Sequence, residues 1–230
     1  MTASHHQTIV DFVTAVEPSS TQQQLLVVHN GRGFCDKDNV KILEAYLVEQ
    51  MQNSTVDISA NLALLKLYQL YPGTANAENV ANVLAKGVMI LPSTFFTGAS
   101  TMISESCRAD TNVTGILGAG FMLQSCLFED FWKEHLTFAS RVPGFLESVR
   151  TFILKVVSQS HSVISTDVLK LKLNLSDNEV SDIIAVAEKW NVVGNLIQIN
   201  PNEDNQMQFK KIQENIELDG VLKVIHTLSR

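Results

Sequence analysis

The run GILGAG at Gly115–Gly120 is the part of this sequence most similar to a phosphate-binding loop. A dinucleotide loop needs the spacing G-x-G-x-x-G directly after a strand, so that backbone N–H groups can face a pyrophosphate. Here the spacing differs, no strand is predicted before the run, and the glycines fall inside a helical pattern. We therefore interpret the run as a place where helices pack closely, and we predict no cofactor.

Histidine and cysteine show no spacing that would hold a metal ion. His5 and His6 are adjacent but lack a nearby third ligand, and His135 lies on an apolar helix face, which favours a hydrogen-bonded core histidine. The three cysteines are far apart and form no C-x-x-C pair, which is typical of reduced thiols: Cys35, Cys107 and Cys126. No HExxH, GxSxG, P-loop or paired-carboxylate pattern occurs. The sequence predicts neither an enzyme nor a metal or small-molecule site.

The net charge argues against a protein whose main role is to bind the phosphate groups of nucleic acids. The net charge is −7, and the longest basic run is the pair Lys210 and Lys211. Nucleic-acid-binding domains usually run basic. No apolar stretch approaches the length of a membrane span, and Arg32 is the first basic residue, so neither a membrane segment nor a targeting peptide is expected. These features predict a cytoplasmic protein.

The first 140 residues repeat the apolar spacing of amphipathic helices. Two such faces are Val80, Val83, Leu84, Gly87, Val88 and Leu91, and then Phe128, Phe131, Trp132, His135, Leu136 and Ala139. Further helices are predicted at residues 38–52, 58–71, 93–107 and 112–125. Because each face needs a neighbour, the pattern predicts a mainly α fold that begins as a HEAT-like helical-repeat solenoid. An irregular helical bundle is the alternative.

Breaks in the helical pattern suggest four regions. Residues 1–35 are a divergent segment, predicted to be helical, and residues 36–141 form the helical-repeat domain. The sequence RVPGF at Arg141–Phe145 should end that domain, because Pro and Gly together break a helix. Residues 142–203 are predicted to form a winged helix, and residues 204–230 a tail with one helix. The polar break Pro201–Gln206 is expected to be open to proteases.

The winged-helix prediction depends on three helices followed by a hairpin. The first helix starts at Phe145, and a second, capped by Ser165 or Thr166, runs to about Leu173, although its leucines also alternate as in a strand. Ser176 and Glu179 form an S-x-x-E capping box that starts the third helix. A turn at Gly194-Asn195 predicts the hairpin, or wing, with its second strand at Leu196–Ile199. Asp219 is the predicted N-cap of the last helix.

The third helix lacks the charge needed to bind DNA. Ser176–Lys189 carries four acidic residues and one basic residue, a net charge of −3, and the wing has no Lys or Arg. A recognition helix lies beside phosphates and normally presents basic side chains. We therefore predict no sequence-specific nucleic-acid binding and interpret this region as a protein-docking module.

A helical array followed by a winged helix resembles the layout of PCI-domain scaffold proteins. Within that class, six blocks in order resemble the subunit K family of eukaryotic translation initiation factor 3: ANLALLKLYQLYP, LPSTFF, LQSCLFEDFW, GFLESVRTFILKVV, LSDNEV and IQENIELDGVLKVI. The most specific are NLALLKLYQ and FEDFW. They cover roughly Asp38 to the C-terminus, whereas the segment up to Cys35 has no counterpart.

The resemblance implies a non-catalytic cytoplasmic subunit that docks to a PCI protein similar to subunit L and reaches the small ribosomal subunit through the complex. The wing strand is expected at a sheet edge, and the last helix is expected in a bundle shared between subunits. The interface residues predicted from this are Leu196, Ile197, Gln198, Ile199, Val221, Leu222, Ile225 and Leu228. The alternatives are a PCI scaffold of a proteasome-lid or signalosome-type complex, and a winged-helix RNA binder.

Overall fold

A computed structural model describes residues 7–31, 35–139, 142–184, 190–206 and 217–229. Helices dominate these residues, so the predicted mainly α fold is confirmed. The first four helices are α1 Ser20–Asn30, α2 Val40–Asn53, α3 Ile58–Leu70 and α4 Ala77–Met89. Side-chain caps start two of them: Asp57 accepts from the N–H of Ala60 in α3, and Asn76 accepts from the N–H of Glu78 in α4.

The next four helices are α5 Phe95–Thr101, α6 Glu105–Arg108, α7 Thr111–Gln124 and α8 Phe128–Ala139. The prediction of one helix over residues 93–107 is wrong, because α5 ends at Thr101. Ser100 and Thr101 donate their hydroxyls back to the carbonyls of Thr97 and Gly98. Such bonds compete with the regular helix ladder. The guanidinium of Arg108 then donates to the carbonyl of Ser100 at 2.6 Å and fixes the bend.

Two short strands in the first quarter of the chain were not predicted. Strand β1, Thr8–Val10, pairs in parallel with strand β2, Thr55–Asp57, so the segment before Asn30 is strand and then helix. Three-residue strands carry too little alternation to be recognised in a sequence, and the two lie far apart along the chain.

The second half has the element order of a winged helix. It contains α9 Phe145–Ser160, β3 Val163–Ser165, α10 Thr166–Leu173, α11 Asp177–Ile183, β4 Asn191–Val193 and β5 Leu196–Gln198. The predicted hairpin is present, with a positive φ of 64° at Gly194 in its turn. The capping box of α11 forms, and the Glu179 carboxylate accepts from the N–H of Ser176 at 3.0 Å.

The sheet of this second half has the order β3-β5-β4, with both pairings antiparallel. The prediction that the strand beginning at Leu196 lies at a sheet edge is therefore wrong, because β5 is the central strand. The reason is β3, which was not predicted and covers the far side of β5. Ser165 ends β3 and at once caps α10, with its hydroxyl accepting from the N–H of Val168.

The leucine-rich segment before α11 is helical, as predicted, despite its strand-like alternation. Leu169 and Leu173, which are four residues apart, are fully buried, whereas Leu171 is 58% exposed. The buried pair therefore follows helical spacing, and the alternation of leucines has no structural counterpart.

The polar break Pro201–Gln206 is tied to the end of α9 by hydrogen bonds. The side-chain amides of Asn202 and Asn205 donate to the carbonyl of Ser158, at 2.8 and 3.1 Å, and Asn205 also reaches the carbonyl of His161. The last carbonyls of a helix lack partners within the helix, and these amides supply them. We therefore no longer expect this segment to be an open protease site.

One buried core runs through both halves of the chain. Helix α4 contributes nine buried residues and packs against α2, α5, α6, α7 and α9. Helix α3 is buried on most sides and packs against α2 and α5, as its apolar composition predicted. The repeat character of the helices and the predicted boundary near Arg141 stay predictions; Arg141 itself lies outside the described residues.

The last described helix is α12, Leu218–Leu228. It starts two residues earlier than predicted, with Glu217 rather than Asp219 as its N-cap. None of its residues is buried.

Among the described helices, none is both long enough and apolar enough to cross a bilayer.

Candidate protein-interaction surfaces

The glycine-rich run lies within α7 and serves helix packing, as predicted. Gly120 faces the ring of Phe96 on α5, and a β carbon at position 120 would lie 2.1 Å from Cζ of that ring. Gly87 on α4 allows a similar approach, because a β carbon there would lie 3.1 Å from Cα of Phe96. A β carbon at Gly115 would contact nothing within 4 Å. Gly120 therefore requires glycine for packing, whereas Gly115 does not.

Across the residues that the structure describes, no group of His, Cys, Asp or Glu could hold a metal ion. His5, His6 and the side chain of His135 lie outside the described part. All three cysteines are free thiols, with Cys107 buried and Cys35 and Cys126 exposed.

The outer sheet face, defined as Val163, Val193 and Leu196, is an exposed apolar surface on the sheet β3-β5-β4. These side chains are 46–57% exposed. Leu196 on β5 pairs directly with Val193 on β4, and Val163 lies on the neighbouring strand β3. Because side chains alternate along a strand, Leu196 and Gln198 share this outer side.

The inner face of the same sheet packs against the chain's own core. Ile197 is fully buried and Ile199 is 5% exposed. Of the four wing residues predicted to form an interface, two are therefore already covered by the chain itself. Leu196 and Gln198 are exposed. Val193 was missed, because the sequence did not show which residue of the first wing strand would pair with Leu196.

Strand β4 is an edge strand of the sheet formed by the described residues. Val192 and Val193 on this strand are 55% and 57% exposed. An apolar edge strand presents unpaired backbone groups and tends to be covered by a partner. A strand-to-strand contact made by this hairpin would therefore use β4, not β5.

The described part of α11 presents an acidic surface. Glu179 and Asp182 are exposed, and the pKa of Glu179 is lowered because the Ser176 hydroxyl and backbone N–H donate to its carboxylate. Glu179 therefore stays ionised at neutral pH. Residues 185–189, the predicted end of this helix, lie outside the described part. Helices that bind DNA in the major groove normally present basic side chains instead.

Helix α12 carries the largest set of exposed apolar side chains on any one described element. Its apolar residues are 40–82% exposed: Leu218, Val221, Leu222, Val224, Ile225 and Leu228. The four predicted interface residues of this helix are all among them. Leu218 and Val224 were missed, although Leu218 lies one turn before Val221, because Asp219 was taken as the start of the helix. The polar side carries Asp219, Lys223, His226 and Thr227.

Trp132 of α8 links the helical first half to the second half of the chain. Its indole N–H donates to the carbonyl of Lys172 in α10 at 2.8 Å, and the guanidinium of Arg150 in α9 lies 5.8 Å from its ring centroid. The Lys172 ammonium lies over the ring of Phe128 at 5.5 Å. These contacts give a structural role to the FEDFW block that carries much of the family resemblance.

Residues 74–211 match the model of the CSN8/PSMD8/EIF3K family, which covers most of the chain from α4 to beyond the wing. The chain belongs to this family. It is 32% identical to eukaryotic translation initiation factor 3 subunit K of Drosophila willistoni over 187 residues, which is 80% of this chain and 84% of the relative. The subunit K proteins of Drosophila erecta and Drosophila grimshawi are 32% and 30% identical over the same coverage.

Family membership confirms the resemblance to subunit K that the six sequence blocks indicated. The residues that match the family model include α9 to β5 but not β1, β2 or α12.

Proposed function

We propose that this protein is a non-catalytic scaffold subunit of the eukaryotic translation initiation factor 3 complex, acting in the cytoplasm. The relatives named eukaryotic translation initiation factor 3 subunit K, of which the alignment covers 84%, support this proposal. In this role it docks to a neighbouring PCI subunit similar to subunit L. Through the complex it supports assembly of the initiation complex on the small ribosomal subunit.

The observation that carries the proposal is the exposed apolar side of α12. An amphipathic helix normally buries its apolar side, and this helix buries none of it within the described chain. Complete burial of one such side chain contributes about 1.5–3 kcal/mol before entropy is considered. We therefore propose that α12 packs against helices of other subunits in a shared bundle, through Val221, Leu222, Ile225 and Leu228.

Affinity purification of the tagged full chain from cell extract tests this role. Initiation factor 3 subunits should co-purify, and a chain truncated before Asp219 should lose them while it remains folded. Ile225→Asp should weaken the association, because it places a carboxylate on the apolar side. Thr227→Asp is the matched control, since it adds the same charge to the polar side. If the truncated chain retains its partners at full stoichiometry, α12 is not an assembly element.

The wing is proposed as the second docking surface, towards the subunit L-like neighbour. The outer sheet face and the β4 edge are its accessible parts, so Leu196→Asp and Val193→Asp should weaken this contact. Asn178→Asp, at an exposed position of α11 away from the sheet, is the matched control. Ile197 and Ile199 are unsuitable for this test, because a charge at either buried position would unfold the domain.

A PCI scaffold of a proteasome-lid or signalosome-type complex is the second candidate, because the matching family model carries three names. The same purification distinguishes the two, since lid or signalosome subunits would then co-purify in place of initiation factor subunits. A winged-helix RNA binder is disfavoured by the exposed carboxylates of α11.

A further inference from the structure

The N-terminal segment Gln7–Phe12 lies on the helical part of the molecule in the manner of a bound peptide. Strand β1 within it pairs in parallel with β2, and the N–H of Thr8 donates to the carbonyl of Ser54 at 3.2 Å. Peptides that add a strand to a sheet edge are held in this way, by backbone bonds along the strand and side-chain pockets at chosen positions. We call the surface under this segment, formed by β2 and Lys86, the N-terminal groove.

Side chains in the middle of the segment select only weakly for residue type. Thr8 is exposed and Ile9 is 57% exposed, so both side chains point mainly to solvent. The fully buried side chain lies at one end of the segment and the contact with Lys86 at the other, with Val10 only partly buried between them.

One end is an aromatic anchor. Phe12 is 1% exposed and contacts the ring of His29 edge-on, with ring centroids 5.6 Å apart. Its N–H donates to the buried carboxylate of Asp57 at 2.8 Å. Asp57 also accepts from the hydroxyl of Tyr46 and the N–H of Ala60, so it is fixed in place whatever occupies the groove.

At the other end of the groove, the Gln7 side chain is a poor match for the Lys86 ammonium that it contacts. Lys86 is 1% exposed, and its ammonium donates to two neutral oxygens, Oε1 of Gln7 at 2.7 Å and the carbonyl of Gln50 at 3.0 Å. Lys86 forms no ion pair within the described part of the chain. Nε2 of Gln7 is buried and has no hydrogen-bond partner among the described residues. A buried ammonium normally pairs with an anion, and a buried N–H normally finds an acceptor.

A carboxylate in place of the Gln7 amide would correct both defects at once. It would accept from Lys86 as a charge-assisted hydrogen bond and would leave no N–H unpaired. Reversing the amide would not help, because its NH2 group would then face the ammonium. The polar end of the groove therefore suits an acidic side chain better than the glutamine that fills it.

We propose that the N-terminal groove is a strand-addition site for an extended acidic segment of a partner protein, closed in cis by the chain's own residues 7–12. The preferred segment carries Glu at the position of Gln7 and an aromatic residue five positions later, at the position of Phe12. The chain's own segment is an imperfect occupant and can be displaced. The groove is independent of the docking surfaces on the wing and α12, which lie in the other half of the chain.

Peptide binding to the full-length chain tests the proposal. Phe12→Ala weakens the segment bound in cis, and a fluorescein-labelled peptide ETIVDFVT then reports binding by anisotropy. We expect it to bind at least about tenfold more tightly than QTIVDFVT, a preference of about 1.4 kcal/mol. The peptide ETIVDAVT, which lacks the aromatic anchor, should not bind. Adding Lys86→Met to the chain should make the Glu and Gln peptides bind equally.

Thr8→Pro is a second way to open the groove without touching the core, because it removes one backbone donor at an exposed position. Circular dichroism shows which variant is folded. Equal binding of the Glu and Gln peptides to a folded variant, or no binding of either, overturns the proposal.

A measurement in the closed chain adds a further check: Gln7→Glu should raise the melting temperature, and should not do so with Lys86→Met. No increase in the otherwise unaltered chain also overturns it.

Discussion

At the scale of single residues, the buried ammonium of Lys86 makes stability depend on pH. Burial lowers the pKa of Lys86 from 10.5 to about 8. Between these values the unfolded chain binds a proton that the folded chain does not, so the free energy of unfolding rises with pH in this window. The increase amounts to at most about 3 kcal/mol. Urea unfolding at a series of pH values should show it.

Lys86→Met should remove this increase, whereas Lys66→Met, at an exposed position of α3, should leave it in place. The comparison is clearest below pH 10. Burial raises the pKa values of Tyr46 and Tyr68, and groups with raised pKa values lower the stability at higher pH, where the unfolded tyrosines ionise first. A wild-type chain whose stability is flat from pH 8 to 10 would contradict the prediction.

Gly120 gives a second residue-scale prediction. A methyl group there would overlap the ring of Phe96, which is fully buried and cannot easily move. Gly120→Ala should therefore destabilise the protein by about 1–3 kcal/mol. Gly115→Ala in the same helix has open space and should stabilise it by up to about 1 kcal/mol, since alanine favours helix. Thermal unfolding of the two variants should move in opposite directions; a shift in the same direction would mean that α5 and α7 do not pack this closely.

At the scale of elements, the end of α9 depends on residues that follow the sheet. Asn202 and Asn205 supply donors to its last carbonyls. The double substitution to Ala should cost about 1–3 kcal/mol, since each net hydrogen bond contributes about 0.5–1.5 kcal/mol. It should also open residues 201–206 to a non-specific protease. Asn178→Ala on the surface of α11 is the control, and cleavage at equal rates in all forms would contradict the prediction.

At the scale of the whole molecule, net charge decides against nucleic acid as a direct ligand. The chain carries 24 acidic residues against 17 Lys and Arg, and α11 exposes carboxylates. Repulsion from phosphates should leave only weak binding to RNA or DNA, without sequence preference. Filter binding of the isolated protein at physiological salt measures this. Sub-micromolar affinity with a steep salt dependence would overturn the prediction.

The sequence by itself determined the features that depend on near neighbours along the chain. Helices with a regular apolar period, the capping box at Ser176 and Glu179, the turn at Gly194, and the helical state of the segment before α11 were all predictable, because a helix face and a cap involve residues only three or four positions apart. The bend after Thr101 escaped prediction, since side-chain hydroxyls and Arg108 outweighed a continuous apolar pattern.

Only the tertiary structure decided which surfaces are free. The parallel pairing of β1 with β2 and the position of β5 between β3 and β4 depend on contacts between residues about 30–50 positions apart, for which loop closure and burial matter more than local preference. For the same reason, the sequence could not show that Ile197 and Ile199 face inward while Leu196 faces out. It also could not show that Lys86 lies buried beside Gln7, because burial of a charge depends on which segments enclose it.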